Sequence, residues 1–165
     1  MQERQPVTLS SRLQQDLTDA IRARDELRRD TLRMAIAAAY NTQKAAGRDL
    51  TDDEVLEVVG RQVKTRRESI EAYEAAGRQD AAAREQAEID ILSIYLPAQL
   101  GEDEVQKLVK ETIDEVGASS PRDMGKVMAA LVPKTRGRAD GKQLSAAVAR
   151  ELAGRDLASH DSAGH

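Results

Sequence analysis

The chain has 165 residues, which is enough for one domain or two small ones, and its formal net charge is −4. It contains no cysteine, so disulfides, thiolate nucleophiles and Cys-ligated metal centres are excluded. Phe and Trp are absent and only three residues are Tyr, which favours Ala-lined seams between helices over a β-sandwich.

The expected location follows from three further features of the sequence. No apolar run reaches the roughly 20 residues that a membrane span requires. The segment 1–8 lacks the apolar core of a secretory signal peptide. With no cysteine in the chain, we expect a cytoplasmic protein with no membrane partner.

Two helical runs are predicted before Gly47, which ends the second. Ser10 or Ser11 is a candidate N-cap for the first run. The pattern leaves open whether these runs are two helices or one bent helix. Their apolar stripes consist of Leu13, Leu17, Ile21, Leu32, Ile36, Ala39 and Tyr40.

A clearer helix start lies at Thr51, which forms the pattern of a capping box with Glu54. This third helix ends at Gly77, and a fourth runs from Gln79 until Pro97 stops it. Basic side chains on the third helix and acidic ones on the fourth favour interhelical ion pairs over a ligand surface. These side chains are Arg61, Lys64, Arg66 and Arg67, and Glu85, Glu88 and Asp90.

The pattern resets after Pro97, and three more helices are predicted over 101–153. The first runs from Glu102 to Gly117, the second begins at Ser120-Pro121 and stops at Pro133, and the last follows a turn at 134–141. The fold class is therefore all-α: an N-terminal domain of about four helices over 9–97 and a C-terminal three-helix domain over 101–153. Residues 154–165 are expected to be a disordered tail.

Catalytic and metal chemistry find little support in the sequence. His160 and His165 lie in the expected tail, where no partner would hold them. The acidic residues near Thr51 lack the pattern of a calcium loop, and their position at a helix start favours capping. We expect no catalytic residue, no metal and no cofactor.

The segment 137–142, Gly-Arg-Ala-Asp-Gly-Lys, superficially resembles a phosphate-binding loop. It has three residues between its glycines, no Ser or Thr after the Lys and no preceding strand, so the nucleotide-loop interpretation fails. A tight turn between helices explains the glycines, and Asp140 is a candidate cap for the last helix.

The charge of the same region is the remaining signal. Between Ser119 and Lys142 six cations face two anions, Asp123 and Asp140, for a net charge of +4 in a protein of net charge −4. With the backbone amides expected at the helix starts near 121 and 141, such a surface suits phosphate oxygens, but a solvated basic face is the alternative. We call these residues the six cations: Arg122, Lys126, Lys134, Arg136, Arg138 and Lys142.

Taken together, these segments resemble the YqeY family in their order along nearly the whole chain. The N-terminal segments that carry the resemblance are 31–34, 50–55, 64–69, 76–80 and 88–97, and the C-terminal ones are 119–121, 123–128 and 134–141. The resemblance implies an all-α protein with a larger N-terminal domain and a small C-terminal three-helix domain. The family is also similar to the tail of GatB, a subunit of the glutamine-dependent tRNA amidotransferase.

The GatB tail is associated with tRNA recognition, so the resemblance implies tRNA as a partner. The matching residues are Gly125, Lys126, Val127, Met128, Lys134, Gly137, Arg138, Ala139 and Asp140. Among these, the apolar residues are explained by packing in the core and the glycines by the turn. Lys126, Lys134 and Arg138, with Arg136, remain as phosphate contacts.

The leading hypothesis from the sequence is a non-catalytic, tRNA-binding accessory module that works in translation, with an amidotransferase or another translation protein as a possible partner. A helical adaptor that binds a protein partner is the alternative. A third hypothesis is carbon-nitrogen ligase activity with glutamine as amido-N-donor, which the resemblance suggests as a family label. No nucleophile or base in the sequence supports it.

Overall fold

The computed structural model describes residues 6–164, and every helix or strand among them is an α-helix or a 3-10 turn. The all-α prediction is confirmed. The chain divides into two compact units between Pro97 and Ala98. The first unit contains α1 (Leu9–Arg22), α2 (Glu26–Ala46), α3 (Asp52–Ala75) and α4 (Gln79–Ser93). The second contains α5 (Glu102–Val116), a 3-10 turn (Pro121–Asp123), α6 (Met124–Thr135) and α7 (Gly141–Ser162).

The break between α1 and α2 answers the question that the sequence left open. Arg24 has a left-handed backbone with φ of 56°, which no continuous helix accommodates. Asp25 then caps α2, because its carboxylate accepts a hydrogen bond from the Arg28 amide at 3.1 Å. The two runs are therefore separate helices.

The start of α1 differs from the prediction that Ser10 or Ser11 is its N-cap. The cap is Thr8, whose hydroxyl accepts a hydrogen bond from the Ser11 amide at 3.1 Å. Leu9 is thus the first helical residue, and its amide donates to the Asp52 carboxylate at 2.9 Å. Thr8 is preferred because its hydroxyl stands at the distance that reaches the third amide of the helix.

The predicted capping box at the start of α3 is confirmed. The Thr51 hydroxyl accepts from the Glu54 amide at 3.3 Å, and the Glu54 carboxylate accepts from the Thr51 amide at 2.8 Å. The same carboxylate pairs with the Arg48 guanidinium at 2.7 Å. The pairing with Arg48, followed by the Thr51 amide, lowers the pKa of Glu54 to about 2.

The core of the first unit is mostly aliphatic, and Leu13 and Leu32 of the predicted stripes belong to it. Ile21 and Tyr40 are exceptions, because they are 47% and 62% exposed. Val58 of α3 is also buried. The core cluster consists of Leu13, Ala20, Leu32, Ala35, Val55, Val59, Val63, Ile89, Leu92 and Tyr95.

A buried arginine joins three helices of this unit. Arg66 of α3 is 4% exposed, and its Nε donates to Oε2 of Glu88 on α4 at 2.9 Å. Its Nη1 donates to the Gln62 carbonyl at 3.0 Å, and its Nη2 lies 3.7 Å from the sulfur of Met34 on α2. An interhelical ion pair between these two helices was predicted, and this pair confirms it.

A second polar cluster lies where the chain leaves α4. The hydroxyl of Tyr95, a residue that is 5% exposed, donates to the Asp16 carboxylate of α1 at 2.5 Å. The Arg12 guanidinium lies 4.9 Å from the centre of the Tyr95 ring, and Arg28 lies 4.0 Å from Asp16. Burial, and then the neighbouring Asp16 carboxylate, raise the pKa of Tyr95 to about 12.

The three helices of the second unit close around their own aliphatic core. Its buried residues are Val105, Val109, Ile113, Ala118, Val127, Leu131, Leu144, Val148 and Leu152. The prediction that Pro133 stops α6 is wrong, because the helix continues to Thr135. Pro133 removes one amide donor, the one that would bond the Ala129 carbonyl, and the turn after it is retained with the Thr135 hydroxyl donating to the Leu131 carbonyl at 3.2 Å.

The end of α7 also differs from the prediction of a disordered tail over 154–165. Residues 154–162 continue the helix, and residue 165 lies outside the described part of the chain. Arg155 stabilises this extension, because its guanidinium pairs with Asp114 of α5 at 2.6 Å and with Glu151 at 3.1 Å. Within residues 6–164 no helix is both long and apolar enough to cross a lipid bilayer.

Glu88→Ala should destabilise the first unit by about 3 kcal/mol, because it leaves the buried Arg66 guanidinium without its counter-charge. Glu68→Ala is the matched control, since Glu68 is an exposed residue of α3, and it should change the free energy of unfolding by less than about 0.5 kcal/mol. Denaturant unfolding of the full chain measures both values. Equal effects of the two substitutions would contradict the structural role of the Arg66–Glu88 pair.

The raised pKa of Tyr95 makes stability depend on pH in the alkaline range. The protonated phenol is favoured by the folded state, so its contribution is complete below pH 10 and is lost as the pH rises from about 10 through about 12. By pH 11 the chain should lose about 1 kcal/mol that Tyr95→Phe does not lose. Tyr40→Phe, at an exposed tyrosine, should behave as the parent. Unfolding free energies at pH 8 and pH 11 test this, and identical losses in all three proteins would contradict it.

Candidate nucleic-acid interface

The turn between α6 and α7 is held to the segment that enters α5. The Leu100 amide donates to the Arg138 carbonyl at 2.8 Å, and the Gln99 side-chain amide donates to the Gly137 carbonyl at 2.9 Å. Nε of Arg138 donates in turn to the Ala98 carbonyl at 3.3 Å. Arg138, predicted as a phosphate contact, therefore uses part of its guanidinium and its carbonyl to hold this turn.

Two predicted turn roles in this region can be compared with the structure. Gly137 has a φ of 73°, in the left-handed region where glycine is strongly favoured, as expected for a tight turn. Gly141 is instead the first residue of α7, and its backbone does not require a glycine. Asp140 caps α7 as predicted, since its carboxylate accepts from the Lys142 amide at 3.2 Å.

Lys134 is paired within the second unit. Its Nζ lies 2.5 Å from Oε2 of Glu115 and 3.3 Å from the hydroxyl of Thr112, both on α5. Thr112 is fully buried, so this contact fixes the direction of the Lys134 side chain along the seam between α5 and α6. The sequence did not indicate this partner, because Glu115 is 19 residues away along the chain.

Arg122 and Lys126 are exposed at the start of α6. Between them in sequence, the Asp123 carboxylate accepts from the amides of Ser119 at 2.9 Å and Ser120 at 3.3 Å. These amides, and then the nearby Lys126 charge, lower the pKa of Asp123. Within residues 6–164 the Arg122 side chain makes no hydrogen bond or ion pair.

Three backbone amides at or next to the two helix starts already have carboxylate acceptors. Asp123 occupies those of Ser119 and Ser120, and Asp140 occupies that of Lys142. Capping by a carboxylate uses the same donors that an anion would use. An anion at these three amides would have to displace the capping carboxylate.

The six cations do not form one compact cluster. Helices α5 and α7 run parallel, since Asp114 near the end of α5 pairs with Arg155 late in α7. Arg122 follows the end of α5, whereas Lys142 stands at the start of α7, about 20 Å of helix from Arg155. Lys142 and Arg136 are exposed, and the Lys142 side chain has no hydrogen-bond or ion-pair partner in the described residues.

Metal-ligand clusters and histidines are the remaining candidates for a catalytic site in the described part of the chain. Residues 6–164 contain no group of three or more His, Asp or Glu side chains that would hold a metal ion. His160 lies exposed on α7 with Nδ1 2.8 Å from the Asp156 carbonyl, rather than in a loose tail as predicted. His165 lies outside the described residues.

Comparison with known proteins supports the family and finds two relatives that carry the same name. The family model described as "Yqey-like protein" matches residues 10–152. A protein of Pyrenophora tritici-repentis named "Altered inheritance of mitochondria protein 41, mitochondrial" is 31% identical over 87% of this chain and 80% of its own length. A protein of Lachancea thermotolerans with the same name is 28% identical over 85% of this chain and 79% of its own length.

These relatives overturn the predicted cytoplasmic location. Both are named as mitochondrial proteins, which conflicts with that prediction, and it is wrong. The prediction rested on the lack of a secretory signal and of cysteine. Those features separate secreted proteins from others, but they do not separate the cytosol from the interior of an organelle.

Two glycines of the basic region should respond in opposite ways to alanine. Gly137→Ala should destabilise the second unit by about 1 kcal/mol, because a side chain at positive φ is strained. Gly125→Ala should stabilise it by about 0.5 kcal/mol, because Gly125 is helical and a Cβ there meets no atom within 4 Å. Thermal unfolding of the full chain measures both changes, and a stabilising Gly137→Ala would contradict the role assigned to the turn.

Proposed function

The chain belongs to the YqeY family, and we propose that its second unit binds tRNA through phosphate contacts, as an accessory module without a catalytic centre of its own. The resemblance of this unit to the GatB tail supplies the class of partner. The physical support comes from exposed cations that the fold itself does not use.

The observation that carries the proposal is that some of the six cations are held by protein groups, whereas others are exposed and have no protein partner within the described part of the chain. Lys134 is paired with Glu115, and Arg138 holds the turn. Arg122 and Lys142 have exposed side chains with no partner among residues 6–164, and Lys126 is exposed beside Asp123. Arg122, Lys126 and Lys142 are therefore the side chains that can pair with a phosphate at the smallest cost to the fold, and Arg136 is a further exposed cation.

The distribution of charge along the second unit favours one segment for contact with a polyanion. Helix α5 carries six acidic residues and two lysines, a net charge of −4, whereas 119–142 has a net charge of +4. An RNA backbone is repelled by the first segment and attracted by the second. The proposed contacts all lie on the second segment.

The composition of this unit also favours contact with the RNA backbone over reading of its bases. All three tyrosines of the chain, Tyr40, Tyr73 and Tyr95, precede residue 98, and the chain has no Phe or Trp. Proteins that read single-stranded RNA stack bases on such rings. Recognition through phosphate positions and shape therefore fits the residues present.

Electrophoretic binding of the full chain to tRNA over a salt series tests this function. Each lost phosphate contact should lower the slope of log affinity against log salt by about 0.7–0.9. Lys126→Ala should show one such step and the triple change of Arg122, Lys126 and Lys142 to Ala about three. Lys107→Ala, an exposed lysine of the acidic α5, should leave the slope unchanged.

Absence of tRNA binding even at low salt would contradict the proposal and favour the helical adaptor. Equal loss of slope for Lys107→Ala and Lys126→Ala would show a diffuse charge effect and would equally overturn the assigned contacts.

A further inference from the structure

A small cleft lies between α5 and α7, and none of the six cations lines it. Its volume is about 100 Å³, and it is lined by Gln106, Val109, Lys110, Ala147, Arg150 and Glu151. Pockets that enclose a whole small-molecule ligand measure about 300–1,000 Å³. The cleft has room for several waters or one small polar group.

Two cations of different helices border this cleft. Lys110 comes from α5 and Arg150 from α7, and both are exposed residues. Neither side chain makes a hydrogen bond or an ion pair with another residue in the range 6–164. Val109, which also lines the cleft, is 1% exposed and belongs to the apolar core of the second unit.

The acidic residue of the cleft already has a cationic partner. The Glu151 carboxylate accepts from Nε of Arg155 at 3.1 Å, and Nη1 of Arg155 also pairs with Asp114 at 2.6 Å. Both carboxylates raise the pKa of Arg155, whose charge is thereby shared between them. The cleft keeps a net positive charge from Lys110 and Arg150, and the Gln106 amide adds a neutral donor.

We propose that this cleft binds a single phosphate group, with Lys110 and Arg150 as its counter-charges and Gln106 as a hydrogen-bond donor. Guanidinium and ammonium groups on opposite walls match the several oxygens of a tetrahedral anion. The proposal stands apart from the tRNA function, because its residues differ from those proposed to contact tRNA. The phosphate group can belong to a small phosphorylated compound or to an RNA backbone.

Titration of the full chain with inorganic phosphate at constant ionic strength, followed by amide NMR, tests the site. Saturable shifts should appear at 106–110 and 147–151, and Lys110→Ala or Arg150→Ala should weaken binding about tenfold, as expected for loss of one charge-assisted hydrogen bond. Lys107→Ala is the matched control on α5 and should bind phosphate as the parent does. Shifts that chloride reproduces, or that persist in Lys110→Ala, would overturn the proposal.

Parallel binding of tRNA by the same variants identifies the source of the phosphate. If Lys110→Ala weakens phosphate and tRNA alike, the cleft holds an RNA phosphate. If it weakens phosphate alone, the ligand is a small phosphorylated compound. If the chain does not bind tRNA, saturable phosphate binding at the cleft is still expected. If the cleft does not bind phosphate, the salt slope of tRNA binding should still depend on Arg122, Lys126 and Lys142. The two failures can therefore be distinguished.

Discussion

The hydrogen bonds between the segment 98–100 and the turn at 137–138 are the constraint on which the second unit depends. The Leu100 amide and the Arg138 carbonyl join the chain before α5 to the chain before α7. Two helices that start from the same junction and share a core run parallel, and the pairing of Asp114 with Arg155 fixes their other ends. The cleft between α5 and α7 and the exposed position of Lys142 both follow from this arrangement.

In the second unit, fewer cations are available to bind a ligand than the sequence contains. Arg138 and Lys134 carry charges that a count along the sequence assigns to phosphate, yet both are held by groups of the protein. Arg66 of the first unit is the extreme case of a cation that pairs within the protein, because its side chain is buried and its guanidinium pairs with Glu88. An exposed pair is worth about 0–1 kcal/mol, so Lys134 remains able to exchange partners, whereas Arg66 does not.

Features that depend on neighbouring residues could be predicted from the sequence. The capping box of Thr51 and Glu54, the cap at Asp140 and the left-handed Gly137 each involve atoms within a few residues. Features that depend on distant residues could not. The helix after 153 requires Asp114, about 40 residues earlier, and the partner of Lys134 is likewise on another helix. The predicted location failed for a different reason, since no residue pattern used for it distinguished one reducing compartment from another.

Arg155 connects these observations. It lies in the segment that was predicted to be disordered, and its pairing with Asp114 stabilises the helical end of α7. The same guanidinium pairs with Asp114 and with the Glu151 carboxylate that borders the cleft, which weakens the repulsion that Glu151 would exert on an anion. Lys110 belongs to a helix of net charge −4, and Arg155 weakens the repulsion from one carboxylate of that helix, Asp114, and from Glu151 of α7. Helix extension and anion selectivity in the cleft are therefore consequences of one ion-pair network.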